Sequence, residues 1–361
     1  AASSTIGIVQ PTTGNVTVAA QGEGKDAVTL DKFEASKLEQ TLTITLNDKA
    51  QDTVTVAADT DLTGWTTSIT GAAITLAGKA NLGDLSGITD STISGGTLVL
   101  SGDADLTKET LPVIKSGIEI GDKATVTVGS AFAPEGAITG DGTLAVAGGT
   151  AAAPVDLSKA TSIGVEVQVN NGAFLAGDLA DFAAKGITGQ EGATAENAGT
   201  VVINAASDAG TTAVSGVKVE IASEGNLKVA QDTFMADGSF NPLALSGDGK
   251  LTITGSVLNL SDGTLANDFF GNLTVIDTDG ITLGKANSGM TMKVGAGTSV
   301  TANLDAAGAG TYDFSKITKG EGADGTFNLA LDDEAAQTVT LSGMNDVVTF
   351  TSTATDKAST V

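Results

Sequence analysis

The side chains available for chemistry in this chain are mostly carboxylates. Its 361 residues include 43 aspartates and glutamates, 18 basic residues that are all lysine, and no histidine or cysteine. Several aspartates lie one or two positions apart beside turn residues, a spacing that oxygen-ligated metal loops use. The candidate metal ligands are Asp277, Asp279, Asp59, Asp61, Asp103, Asp105, Asp332 and Asp333.

Calcium is the cation that these carboxylates suit, because it is bound by oxygen and needs neither nitrogen nor sulfur. Zinc, copper and iron sites are excluded by the lack of histidine and cysteine. No cluster completes an EF-hand loop, and an aspartate in a turn often bonds only its own backbone. We therefore predict Ca²⁺ binding by some of the clusters, with a solvated turn aspartate as the alternative at each one.

The composition argues against an enzyme. Most acid–base and nucleophilic chemistry near neutral pH uses His or Cys, and planar recognition of phosphate or carboxylate uses Arg. A carboxylate pair can hydrolyse glycosides, but a sugar groove needs aromatic side chains, and Trp65 and Tyr312 are the one tryptophan and the one tyrosine. We predict no catalytic residues and no enzyme activity, with a polysaccharide-acting β-helix enzyme as the least favoured alternative.

The net charge of −25 restricts the partners of this chain. Nucleic acids and anionic membrane surfaces need clustered positive charge, so both are excluded, and no apolar run is long enough for a membrane helix. The remaining partners are further copies of the chain itself, in a homo-oligomer or lattice, and a cell-surface glycan. The chain begins at Ala1 without a methionine, which leads us to expect an exported protein whose signal has been cleaved.

The dominant local pattern is a period-two alternation of threonine with aliphatic residues, which predicts half-buried β-strands. Helical signal is sparse and is limited to residues 30–42, residues 178–185 and one turn at 231–235. The segments 41–46 and 53–56 are predicted to form a hairpin or two successive strands. The other candidate strands are residues 124–128, 164–169, 217–221, 251–254, 338–341 and 347–350.

A degenerate repeat supports a particular all-β architecture. A glycine, one polar residue and an apolar residue open a strand at several positions, and Gly225, Gly249 and Gly271 recur at nearly equal intervals of a little over twenty positions. A closer pair of matching segments is 140–146 and 247–253, and another is 156–161 and 313–318. Turns of this size are typical of a parallel β-helix, or β-solenoid, with a few short helices. Tandem β-sandwich domains are the alternative.

Domain boundaries are weakly marked in the sequence. Residues 1–60 are predicted to form an N-terminal polar segment that carries a short helix, a hairpin and an assembly strand. Residues 61–361 are predicted to form a Gly-rich repetitive β region with a hinge near residues 186–199.

The chain resembles bacterial surface-layer proteins and related exported β-rich proteins that self-assemble. The resemblance lies in its composition and in the strand entries at residues 155–161, 311–318 and 341–350. It implies an extracellular structural protein at the cell surface, which assembles into a surface layer, sheath or filament with divalent-cation support. An adhesin or fibre stalk that presents a binding site is the alternative.

Overall fold

A computed structural model gives the conformation of most of the chain. The described residues are 4–19, 24–37, 40–48, 50–108, 110–182, 184–234, 239–255, 257–263, 265–277, 279–304, 307–320, 326–331, 335–341 and 348–351, of which Asp277 and 348–351 are described by their backbone. The chain divides into two compact units. The first contains Ala1–Gly177, Asp181–Glu191 and Asn197–Gly199, and the second contains Asp178–Ala180, Gly192–Glu196 and Thr200–Val361.

The first unit is built from short strands joined by corner turns. Its strands are β1 (Ser4–Ile8), β2 (Val16–Ala19), β3 (Asp26–Leu30), β4 (Gln40–Thr45), β5 (Thr53–Val56), β6 (Thr60–Asp61), β7 (Trp65–Thr70), β8 (Ala73–Asn81), β9 (Ile88–Thr89), β10 (Thr92–Leu100), β11 (Ala104–Leu106), β12 (Val113–Ile114), β13 (Gly117–Ile120), β14 (Thr125–Val128), β15 (Ile138–Gly140), β16 (Thr143–Val146), β17 (Val155–Asp156), β18 (Glu166–Val169), β19 (Phe174–Ala176) and β20 (Ile187–Gly189).

The second unit is built in the same way. Its strands are β21 (Thr200–Ile203), β22 (Ala206–Asp208), β23 (Val214–Ser215), β24 (Lys218–Ile221), β25 (Asn226–Ala230), β26 (Phe240–Asn241), β27 (Ala244–Gly247), β28 (Lys250–Thr254), β29 (Leu258–Asn259), β30 (Thr274–Asp277), β31 (Ile281–Leu283), β32 (Met292–Val294), β33 (Ser299–Leu304), β34 (Gly310–Phe314), β35 (Ile317–Lys319), β36 (Thr326–Leu331), β37 (Gln337–Leu341) and β38 (Val348–Thr351).

Each unit is a parallel β-solenoid, which confirms the predicted fold class. In the first unit the sheets run β1-β3-β5-β8-β10-β13-β15, β2-β4-β7-β9, β11-β14-β16-β18-β20 and β17-β19. In the second they run β21-β24-β27, β22-β25-β28-β30-β32-β35, β23-β26, β29-β31-β33-β36-β38 and β34-β37. Neighbouring strands come from successive turns and pair in parallel, whereas a β-sandwich pairs its strands antiparallel.

The core consists of stacked aliphatic rows, because parallel register places the same side of each strand inward. In the first unit Val28, Val54, Ile74 and Ile93 occupy one such row. Leu227, Leu251 and Val275 occupy another in the second unit, and all of these side chains are buried. The threonines that alternate with them point outward, as the period-two pattern predicts.

The length of the chain in each turn is irregular. Strand pairing joins Thr200 to Lys218 in one turn and Ser299 to Thr326 in another, so the second turn is half as long again as the first. Paired strands stay in register, but the strands differ in length and so do the corner loops between them. A strict sequence period is therefore absent, although the architecture repeats.

The predicted helix at residues 30–42 is wrong. Leu30 ends β3, the described residues of the following connection have no regular helical structure, and Gln40 begins β4. Phe33 is buried and packs edge-on against Trp65, with 5.3 Å between ring centroids, so the apolar residues of this segment serve the solenoid core. Strands β4 and β5 belong to different sheets, so they are successive strands and not a hairpin.

The other predicted helices reduce to single turns. The described residues contain 3₁₀ turns at Leu85–Gly87, Leu179–Phe182 and Lys285–Asn287. The second of these is the predicted helix at 178–185, and the segment from Gln231 has turn structure as far as the structure describes it. Residues 1–60 belong to the same unit as residues 61–177, and the exchange between the two units occurs within residues 178–200.

Candidate functional site

A polar groove with a volume of about 650 Å³ lies in the first unit beside strands β8, β10 and β11. Buried leucines and Trp65 form its floor, whereas its rim carries amide, hydroxyl and carboxylate groups. The polar side chains on the rim are Thr63, Asn81, Asp84, Ser101, Asp103, Asp105 and Lys108. These groups suit hydrogen bonding to a polar ligand or contact with a hard cation.

Asn81 holds the groove together across three successive turns of the solenoid. Its side-chain amide donates to the hydroxyl of Thr63 at 3.0 Å and to that of Ser101 at 2.8 Å. Its carbonyl oxygen accepts from the backbone N–H of Gly83 at 2.9 Å. Both amide hydrogens are therefore engaged, which fixes the side chain as part of the groove wall.

Two carboxylates of the groove form tight turns with the residues that follow them. Asp84 accepts from the backbone N–H of Ser86 at 2.9 Å and from its hydroxyl at 2.7 Å. Asp105 accepts from the N–H of Thr107 at 3.0 Å and from its hydroxyl at 2.7 Å. These are Asx turns, in which a short acidic side chain stabilises the corner of the chain.

The hydrogen bonds of these turns keep both carboxylates ionised. The Ser86 amide and hydroxyl lower the pKa of Asp84, and the Thr107 hydroxyl and amide lower the pKa of Asp105. The positive charge of Lys108 lowers the pKa of both carboxyl groups further. The groove therefore carries negative charge at neutral pH, opposed by the ammonium group of Lys108.

The Asx turn recurs along the solenoid, in most cases with a buried apolar residue after the acidic or amide residue. The middle side chain enters the core while the polar one caps the corner, so a single tripeptide turns the chain and fills a core position. The described examples with a buried apolar middle residue begin at Asp61, Asn81, Asp84, Asp105, Asp156, Asp178, Asp208, Asn259 and Asp313.

The structure brings some of the predicted metal ligands together and separates others. Asp103 and Asp105 line the groove, and Asp103 also accepts from the N–H of Thr125 at 2.8 Å. Asp61 caps an Asx turn with Thr63, and Asp59 is exposed on a turn with a φ of 59°. Neither Asp59 nor Asp61 lines the groove.

The remaining predicted ligands lie in the second unit. The structure describes only the backbone of Asp277, in β30, and it shows Asp279 as an exposed residue after that strand. Asp332 and Asp333 lie outside the described residues. Among the residues that the structure describes, no three carboxylates are grouped closely enough to hold a metal ion. Calcium binding therefore stays a prediction.

A buried carboxylate that the sequence did not single out is Asp52, whose residue is 1 % exposed. It accepts from the backbone N–H groups of Asp26, Asn47 and Asp48 at 2.9, 3.1 and 3.0 Å. Burial opposes ionisation, but these three donors outweigh it and hold the pKa of Asp52 below its usual value. The side chain ties two successive turns together and is structural.

A second feature of the first unit is a sheet face without charge, which we call the hydroxyl face. It is formed by the outward side chains of β2, β4, β7 and β9, four strands that contain no charged residue. Register places Thr17, Thr43 and Ser68 in one row. The next row consists of Thr45, Thr70 and Thr89, and the hydroxyl oxygens of Thr70 and Thr89 are 3.1 Å apart.

The sequence pattern predicted β4 but neither β7 nor β9, and it did not reveal the alignment of these strands into a face. The alignment depends on two successive turns of slightly different length, from Thr17 to Thr43 and from Thr43 to Ser68, which no fixed period reveals. The signal that was available is the absence of charged residues from all four strands.

No protein family, curated protein or solved structure is significantly similar to this chain. In the part of the chain that the structure describes, no helix has the length and apolar character needed to cross a bilayer.

Proposed function

We propose that this chain is an extracellular structural protein that assembles with copies of itself into a surface layer, sheath or filament. The observation that supports this proposal most directly is the separation of charge within the first unit. The chain carries a net charge of −25, yet neither the hydroxyl face nor the sequence before Glu23 contains a charged side chain.

Charge separation favours assembly for an electrostatic reason. Copies of a chain with this charge repel one another over most of their surface, and the repulsion is largest at low ionic strength. Two copies approach most closely where neither presents a charge. A parallel solenoid also repeats its outward rows from turn to turn, which produces regular surfaces suited to packing.

Divalent cations are the second part of the proposal. The groove presents Asp84, Asp103 and Asp105 at its rim, and although these three carboxylates are not grouped closely enough to hold an ion together, Ca²⁺ attracted to this acidic rim would reduce the repulsion between copies. The cation acts here as a support for assembly and not as a catalytic group.

Assembly can be tested by negative-stain microscopy and light scattering of the purified chain in millimolar Ca²⁺ and in chelator. We expect ordered sheets or filaments in Ca²⁺ that dissolve in chelator. Thr45→Lys places a charge on the hydroxyl face, at an exposed position of β4, and should suppress assembly. Thr139→Lys is the matched control, because Thr139 is an exposed strand threonine that pairs in register with Glu119. Isolated monomers in both solutions would contradict the proposal.

The contribution of the groove carboxylates to Ca²⁺ binding can be tested by substitutions that leave the turns intact. Asn keeps the acceptor oxygen that Asp105 uses in its Asx turn and that Asp103 offers to the N–H of Thr125, so Asp103→Asn with Asp105→Asn removes charge while keeping these hydrogen bonds. We expect calorimetric titration to show weaker Ca²⁺ binding in this variant. Asp156→Asn changes the same kind of turn outside the groove and should bind Ca²⁺ as the wild type does. If the wild type and both variants bind Ca²⁺ equally well, the groove is not where the cation acts.

A second function, that of an adhesin or fibre stalk with a binding site, is favoured by the groove itself. Its polar rim and apolar floor suit a neutral glycan held by hydrogen bonds. Screening the chain against immobilised glycans tests this function. Binding that Asn81→Ala abolishes, from a protein that stays monomeric, would favour the stalk over the assembling protein.

A further inference from the structure

Two lysines stand on the outward face of the six-stranded sheet of the second unit. Lys250 lies on β28 and Lys293 on β32, and register through Thr274 places both in one row. The row continues to Asn226 on one side and to Thr318 on the other. We call these five residues the lysine row. The row contains no carboxylate, so it forms a positive strip on a chain whose net charge is −25.

These two lysines do not have the protective role that lysine has at the edge of a sheet. A charged residue on an edge strand prevents pairing with another sheet. Strand β28 lies between β25 and β30, and β32 lies between β30 and β35, so neither is an edge strand. Lysine is also depleted in strands generally, because its side chain fits a pleated, half-buried surface poorly. Two positive charges on central strands therefore need another explanation.

Neither lysine is neutralised by a residue that the structure describes. An ion pair does form beside the row, where Lys228 on β25 lies 2.9 Å from the carboxylate of Asp208. The described ion pairs include neither Lys250 nor Lys293. Lys250 is exposed and Lys293 is half-buried. Both ammonium groups are therefore available to the carboxylates of a partner.

The groove of the first unit is a complementary surface. Its charged groups are the carboxylates of Asp84, Asp103 and Asp105 and the ammonium group of Lys108, so negative charge is in excess. Asp84 follows β8, whereas the other two carboxylates lie on or beside β11, so the acidic rim extends from one turn to the next, as the lysine row does. The apolar floor suits the aliphatic stem of a lysine, which packs on apolar surface while its ammonium group stays at a polar rim.

We infer that the lysine row of one copy docks on the groove of a second copy, where Lys250 and Lys293 pair with the carboxylates of the rim. The inference rests on the proposed function and names two surfaces through which copies meet. A second copy fits because both surfaces belong to the same chain and carry opposite charges.

The contact joins two different surfaces, so it is heterologous. A heterologous contact extends into a ring or a filament, whereas a contact between identical surfaces stops at a pair. The lysine row lies in the second unit, so this contact is additional to the hydroxyl face of the first. Ca²⁺ at a carboxylate that the lysines leave unpaired acts in the same direction, because it also reduces the negative charge of the rim.

The test is sedimentation velocity on the full chain over a range of concentrations, in millimolar Ca²⁺ and in chelator. Lys250→Glu with Lys293→Glu reverses the charge of the lysine row. Gly102→Lys adds a positive charge to the groove wall at a position where an added Cβ meets no atom within 4 Å, so it leaves the fold undisturbed. A variant with all three substitutions again has opposite charges on the two surfaces, with the signs exchanged.

The control is Lys159→Glu with Lys285→Glu, which changes the net charge by the same amount as the row variant at two exposed lysines outside the row. It separates the loss of a specific contact from the added repulsion between copies. Thermal unfolding by circular dichroism establishes that all variants are folded.

We expect the row variant and Gly102→Lys each to need at least about tenfold more protein for assembly than the wild type, because close charge pairs across an interface couple strongly. The triple variant should recover most of this loss, and the control should assemble nearly like the wild type.

A row variant that matches the control would overturn this inference and leave the proposed function standing. The same conclusion follows if the row variant fails but Gly102→Lys assembles normally, or if the triple variant recovers nothing, because the row then binds a surface other than the groove. A wild type that stays monomeric in Ca²⁺ and in chelator would overturn the proposed function and this inference together.

Discussion

Replacing Gly247 by alanine should lower the free energy of unfolding of the second unit by about 3 kcal/mol, as the sum of backbone strain and overpacking. Gly247 has a φ of 109°, which alanine adopts only at a cost. An added Cβ would collide with the carbonyl oxygen of Ile221 and lie 2.8 Å from its carbonyl carbon. Because both atoms belong to the backbone of the preceding turn, the turns must separate to admit it.

The control for this prediction is Gly297→Ala in the same unit. Gly297 has a φ of 78°, but a Cβ there meets no atom within 4 Å, so this variant reports the backbone strain alone. We expect it to cost about 1 kcal/mol. Urea denaturation followed by circular dichroism measures both. Equal losses in the two variants would show that the close approach of the turns contributes nothing.

Replacing Asp52 by alanine should cost about 3 kcal/mol at neutral pH, because three buried N–H donors lose their acceptor. The pKa of Asp52 is lowered in the folded state, so its contribution to stability is fully present at pH values above about 3.9, the pKa of an aspartate in the unfolded chain. The contribution is lost as the pH falls below about 4, through the folded pKa. The difference in stability between wild type and variant should therefore shrink in acid.

The measurement is urea denaturation of wild type and Asp52→Ala at pH 7 and at pH 3. Asp59→Asn provides the control, because Asp59 is exposed, accepts none of these bonds, and has a φ of 59° that asparagine tolerates. A stability difference between wild type and Asp52→Ala that stays constant over this range would mean that the carboxylate charge does not hold the three N–H groups.

The matching segments at residues 140–146 and 247–253 have the same local structure. Gly140 and Gly247 have φ values of 120° and 109°, and a Cβ on either would collide with the carbonyl oxygen of the isoleucine one turn earlier. Gly142 and Gly249 donate their N–H groups to those same carbonyls, of Ile120 and Ile221, at 3.3 and 3.0 Å. The sequence pair therefore marks one corner geometry used in both units.

Other sequence similarities did not mark equivalent positions. Gly225 and Gly249 directly precede Asn226 and Lys250, which pair in register. Gly271 is not equivalent to them, because the residue that pairs with Lys250 is Thr274, three positions after Gly271. Leu98 and Leu144 follow similar Gly-Thr pairs and lie in different sheets. A glycine, a polar residue and a leucine can open any strand of a solenoid, so this tripeptide does not identify the sheet.

The candidate site was predictable only in part. The sequence placed Asp103 and Asp105 among the metal ligands, and the structure puts them on one groove, but Asn81 and Asp84 come from an earlier turn. In Asp61 and Asp105 the backbone N–H and hydroxyl of the Asx turn both bond to one carboxylate oxygen. Residue type and spacing are the same for a turn aspartate and a ligand, so the sequence alone did not separate the two.

The sequence by itself determined that the chain forms short strands with an aliphatic core. Alternation of threonine with valine and isoleucine gives each strand one apolar side, and this property is local, so it does not depend on which strands become neighbours. Only the tertiary structure decided which strands stack, because the corner loops differ in length and the step from Thr200 to Lys218 is much shorter than that from Ser299 to Thr326. Stacking in turn placed the uncharged strands on one face and gathered the groove from three turns. These surfaces arise from contacts between turns, and a linear pattern does not contain them.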